Sequence, residues 1–207
     1  MNKTRFTALL ISLFIVLIFI FRTDAPTVET RKLGVHDLVL AFGDSLTYGY
    51  GAADQSYPKQ LQLLIHREVV NAGVSGEVSS VGLRRLPKML QMYRPSLVIL
   101  CHGGNDILRR SSQENLRANL VAMIKLARES GAQVLLVGVP GFGLLGASTV
   151  PLYEEVATEQ NVLYEGDVLE KIENDASLKS DQIHPNAAGY GLMAEAFKKL
   201  LKEHGVI

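Results

Sequence analysis

Five short apolar runs, spaced by segments of helical periodicity, limit what this 207-residue chain can become. The runs are "DLVLAF" (37–42), "EVVNA" (68–72), "SLVILC" (96–101), "QVLLVGV" (133–139) and "NVLYE" (161–165). They are continuous, not alternating, as in strands covered on both faces. Between them Leu61, Leu64 and Ile65 follow a start near Tyr57-Pro58, and Leu83, Leu86 and Leu90 form a second stripe. Leu116, Leu120, Ile124 and Leu126 follow a capping Ser112, Val156 marks another helix, and a last one runs from about Ala187 to Leu201. Strands alternating with helices imply a parallel sheet packed on both faces, a three-layer α/β/α sandwich with a central five-stranded parallel sheet. A chain of this length closes one core, not two. That domain is expected over residues 37–207, after a polar tether at 28–36 and a distinct segment at 1–27.

The amino-terminal segment carries Lys3 and Arg5, an uncharged apolar stretch from Phe6 to Phe21, and then Arg22. Its length is borderline for a bilayer, whose hydrocarbon core is roughly 30 Å thick. Thr23-Asp24-Ala25 makes a poor signal-peptidase site, with an acidic residue inside it and Pro26 directly after. The expectation is therefore a single-pass anchor in the cell membrane. Basic residues before the span place the domain on the extracytoplasmic, periplasmic side, and secretion after signal cleavage is the alternative.

Charge and cysteine content narrow the functional classes. Outside residues 1–27 the chain holds 18 basic and 20 acidic residues, so it has no large positive field for nucleic acid. Cys101 is the sole cysteine, which excludes an intramolecular disulfide, and no paired Cys/His spacing marks a structural zinc site.

In a parallel α/β sheet, ligands bind beyond the carboxyl ends of the strands. Four loops belong there: "GDSLTYGYGA" after the first strand, "NAGVSG" (71–76) after the second, "GGND" (103–106) after the third and "GFGLLG" (141–146) after the fourth. Ser45 in the first loop is either a helix cap or a nucleophile. Among the five histidines, His184 stands out: Pro185 disfavours helical geometry before it and Asn186 caps the last helix, which holds the imidazole on a loop. Asp181, three residues earlier, is close enough to bond one ring nitrogen and leave the other for Ser45.

These blocks, "FGDSLTYGYGA", "NAGVSGEVS", "GGND" and "DQIHPN", occur in the order found in the SGNH/GDSL hydrolase superfamily, and the chain resembles its bacterial thioesterase I, lysophospholipase L1 and arylesterase type. The resemblance runs from about residue 37 to the end and implies the flavodoxin-like SGNH hydrolase fold. It also implies Ser45 as nucleophile, His184 as general base and Asp181 as its orienting acid. The oxyanion hole would consist of the Ser45 and Gly76 backbone N–H groups and the Asn105 side chain. The implied chemistry is serine-esterase hydrolysis of a small acyl ester or lipid, whether lysophospholipid, aryl ester or acyl thioester. It needs no metal or organic cofactor, and the protein would act as a monomer. A cell-envelope carbohydrate O-deacetylase or O-acyltransferase would use the same residues, and a non-catalytic lipid- or glycan-binding module stays open as another class.

Other signals compete. "GFGLLG" matches a dinucleotide fingerprint with Glu165 and Asp167 downstream, but it follows the fourth strand and puts two leucines where pyrophosphate would sit. Phe142, Leu144 and Leu145, with Leu108, either line an acyl groove or simply pack their loops. Cys101 and His102 are adjacent in a strand and should point to opposite faces, which argues against a dyad. Asp106 reads as a loop or cap residue.

Overall fold

The computed structural model describes residues 28–52, 54–144 and 146–207. Strand β1 (Val39–Gly43) is buried along its whole length, as is β3 (Leu97–Cys101), which fits their uninterrupted apolar sequences. With β2 (Val69–Gly73), β4 (Gln133–Val137) and β7 (Leu163–Glu165) they form one five-stranded sheet. Its order is β2-β1-β3-β4-β7, and every pairing is parallel. Helices Tyr57–Ile65, Ser79–Tyr93, Gln113–Glu129, Leu152–Gln160 and Ala187–Glu203 cover the sheet. Ser112 and Asn186 cap their helices as expected: Ser112 Oγ accepts from Asn115 N, and Asn186 Oδ1 from Ala188 N and Gly189 N. The strand order reverses direction between β1 and β3, so the loops leaving those two strands diverge and open a crevice.

Between β4 and β7 the chain departs from simple alternation. Pro140–Gly143 (β5) and Gly146–Thr149 (β6) pair antiparallel as a hairpin at the sheet's carboxyl edge. "GFGLLG" is therefore a hairpin tip and not a helix start, so the arrangement a bound pyrophosphate requires is missing.

The opposite edge ties down the segment expected to be a tether. Thr30 Oγ1 donates to His204 O at 2.7 Å, Arg31 and the Gln133 side chain exchange two hydrogen bonds (2.7 and 2.9 Å), and Leu33 N reaches Val206 O at 2.8 Å. Leu33 is buried in the core.

The expected membrane placement is corrected by the helices themselves. Among the described residues none is long and apolar enough to cross a bilayer. The span expected over residues 6–21 lies outside the described residues. The single-pass topology, the membrane as a partner and the periplasmic placement of the domain are accordingly withdrawn.

Candidate active site

Ser45 is the first residue of a short helix, Ser45–Tyr48, that leaves β1 through a tight corner. The cap is Asp44, whose Oδ1 accepts from Leu46 N at 3.1 Å, so the serine hydroxyl is free for other work. Glycines on two strands let the corner close. A Cβ on Gly43 would collide with the Cys101 carbonyl and Thr47 Oγ1, and one on Gly73 with the backbone of Thr47 and Tyr48. The nucleophile candidate therefore sits on a turn wedged between β2 and β3, where it has little room to move.

The His184 loop meets it from the far end of the chain. Nε2 of His184 lies 3.0 Å from Ser45 Oγ, and Nδ1 lies 2.8 Å from Asp181 Oδ2. With the ring proton on Nδ1, that nitrogen donates to the carboxylate and Nε2 accepts from the serine hydroxyl. Asp181 Oδ1 also accepts from the backbone N–H of Ile183 (2.9 Å) and of His184 (2.8 Å), which folds the loop into a compact turn. Burial pushes the Asp181 carboxyl up, but the Ile183 N–H, the His184 ring and the His184 N–H outweigh it and hold the group below its usual range. A pairing of Ser180 N with His184 O (2.9 Å) and the cap by Asn186 brace the loop. The Tyr50 ring packs on the imidazole with centroids 4.5 Å apart.

Gly76 and Asn105 border the same cavity as Ser45 and His184, and Asp181 joins them through the His184 ring, so the five expected residues meet at one edge. Gly76 has φ +77°, a left-handed conformation that favours glycine, and open space where a Cβ would stand. The Asn105 amide donates to Glu77 O at 3.1 Å and to Asp44 Oδ2 at 3.3 Å, which fixes its direction. Burial pushes the Asp44 carboxyl up, against the His102 ring, the Leu46 N–H and the Asn105 amide.

The cavity holds about 260 Å³. Of the apolar residues expected to line it, Leu108 and Phe142 do. Leu144 instead stands fully exposed at the hairpin tip, and Leu145 lies outside the described residues. Leu46, Val139, Leu169 and Ile183 also line the cavity, unanticipated because their direction depends on how helices and loops pack, which strand and helix spacing leave open. Asp106 is a cap, but at a distance: its carboxylate accepts from Ser79 N and Ser79 Oγ, both at 2.7 Å, at the start of another helix.

A serine–imidazole–carboxylate relay at the carboxyl edge of a flavodoxin-ordered sheet, its imidazole half-buried and its carboxylate open to solvent, defines a serine hydrolase of the SGNH type. The profile of the GDSL-like Lipase/Acylhydrolase family matches residues 41–192, and the chain belongs to that family. It is 33% identical to Esterase TesA of Pseudomonas aeruginosa over 175 residues, covering 79% of this chain and 87% of that protein. Arylesterase of Vibrio mimicus is 30% identical over 199 residues, 91% of this chain and 96% of the relative. Among solved structures, TesA superposes with a TM-score of 0.73 at 30% identity, covering 81% of this chain and 99% of that one. The psychrotrophic esterase EstA from Pseudoalteromonas sp., inhibited by monoethylphosphonate, gives 0.72 at 25% identity, with 81% and 97% covered. This kinship makes the protein a carboxylic ester hydrolase.

Proposed function

We propose that Ser45, His184 and Asp181 carry a two-step acyl transfer from esters whose acyl chain enters the apolar cavity. The observation that carries this reading is the continuous relay from Ser45 Oγ through both His184 nitrogens to Asp181. As Oγ attacks the carbonyl carbon, its proton passes to Nε2, and the imidazolium is stabilised by Asp181 across the Nδ1 bond. The proton then goes to the departing alcohol or thiol as its bond to the acyl carbon breaks, leaving an acyl-serine. Water repeats the sequence: its proton moves to Nε2, its oxygen bonds the acyl carbon, and Ser45 Oγ leaves with that proton.

The negative oxygen formed in each addition is met by the N–H groups of Ser45 and Gly76 and by the Asn105 amide. Asn105 already uses both amide protons, so it takes part by exchanging one partner. The 3.3 Å bond to Asp44 is the longer and the more readily exchanged; the 3.1 Å bond to Glu77 O keeps the amide aimed.

Purified protein offered p-nitrophenyl esters of graded chain length tests the reading. Turnover is expected on acyl chains longer than acetyl, because the cavity walls are apolar, and Ser45→Ala should abolish it. Undiminished activity in Ser45→Ala removes the nucleophile assignment. A sharp preference for acetyl removes the acyl-cavity assignment and favours a deacetylase.

A further inference from the structure

Behind the oxyanion donors lies an ion-paired cluster that the acyl-transfer steps do not use. Glu77 directly follows Gly76 and is 6% exposed. Arg85 grips its carboxylate as a fork, Nη2 to Oε1 at 2.7 Å and Nε to Oε2 at 2.9 Å. On the other side the fully buried His102 ring brings Nε2 to 3.2 Å from Oε1. Among the described residues His102 Nδ1 has no partner, so the tautomer with its proton on Nε2, donated to Glu77, is the one the surroundings accommodate. Arg85 also lies over the Phe42 ring at 4.1 Å and points Nη2 at Gly43 O, 3.4 Å away. Close approach of the helix Ser79–Tyr93 depends on Gly82, where a Cβ would collide with His102 Nε2.

These three side chains touch three different loops. Gly43 precedes Ser45 by two residues, Glu77 is the neighbour of Gly76, and His102 precedes Asn105 by three. Glu77 O additionally accepts from the Asn105 amide at 3.1 Å, so the cluster is joined to one oxyanion donor and is covalently adjacent to another. A bidentate guanidinium–carboxylate pair adds geometric definition to a site, whereas a buried ion pair adds little net stability compared with apolar packing. Oxyanion donors act only when aimed in advance at the position where charge develops.

We infer that Arg85, Glu77 and His102 are positioning residues that lock the loops after β1, β2 and β3 together and so hold the Gly76 N–H and the Asn105 amide in register with Ser45. The inference rests on the acyl-transfer reading above. Its test is a double-mutant cycle of Arg85→Met with Asn105→Ala, measured as kcat and KM on a p-nitrophenyl ester. In the parent background Arg85→Met should lower kcat by about tenfold to a hundredfold, the scale of a misplacement near 1 Å, with KM changed less than about threefold. In the Asn105→Ala background the same substitution should cost far less, because the donor it aims is gone. Glu77→Gln, nearly isosteric, should keep more activity than Glu77→Ala, and it serves as the second probe if Arg85→Met does not fold.

An unchanged kcat in Arg85→Met and Glu77→Gln, or a loss that multiplies fully onto Asn105→Ala, overturns the inference and leaves the cluster a structural one. If Asn105→Ala itself has no effect, it is the oxyanion assignment that fails, and the two outcomes are told apart.

Discussion

Replacing Glu77 by glutamine should change how the fold responds to acid. Burial pushes this carboxyl up, but hydrogen bonds from His102 and Arg85 and the Arg85 charge outweigh it and lower its pKa from 4.5 to about 2. A carboxyl depressed on folding contributes stability that is complete above its unfolded value and is lost as pH falls towards the folded one. At about 1.4 kcal/mol per unit, the shift corresponds to roughly 3 kcal/mol at pH 7, falling to roughly 1 kcal/mol at pH 3. Asp44, Glu165 and Glu173 are pushed the other way by burial and gain from acid, but they are common to both proteins and cancel in the difference. Urea unfolding of the parent and Glu77→Gln should therefore show a stability gap that narrows by about 2 kcal/mol between pH 7 and pH 3. A gap of constant size across that range would refute the claim that Glu77 is ionised and held by Arg85 and His102.

Three further outcomes are expected from the site's construction. Ester turnover should rise with pH over the interval where imidazoles lose their proton, roughly pH 5 to 8, since only neutral imidazole accepts from Ser45; a flat kcat/KM profile there removes His184 as base. Gly43→Ala forces a methyl into the Cys101 carbonyl and Thr47, so it should cost about 1–3 kcal/mol in urea unfolding and lower kcat, and a variant as stable and active as the parent would contradict the tight corner. Asn186→Ala removes a side chain that accepts from two N–H groups of the last helix, and should lower unfolding free energy by about 1 kcal/mol.

The sheet was legible because its inner strands are buried on both faces and its edge strands still carry short apolar runs: each of the five runs overlaps an observed strand. The polar constellation was legible because loops after parallel strands must gather at one edge, whatever their distance in sequence. The rest depended on directions that spacing does not encode. Leu144 was expected in a groove, but a two-stranded turn carries it outward to the hairpin tip. Ser45 was a candidate cap, yet Asp44 takes that role and Ser45 occupies the first helical position. The Glu77–Arg85–His102 cluster left no mark in the pattern. Its members are separated by eight and 25 residues, and they meet only because a glycine lets one helix settle against the sheet edge.

The segment from Thr30 to Leu33 is stitched to the amino edge of the sheet, while the cavity beside Ser45 opens at the carboxyl edge. The domain is thus polar in the mechanical sense, with the Thr30–Leu33 segment and the cavity at opposite poles. In a variant cut back to residue 28, a support or fused partner joined at that end would grip the pole remote from the cavity. Immobilised in that orientation on a bead, the enzyme should keep the KM it has in free solution, whereas coupling through the hairpin tip should raise it.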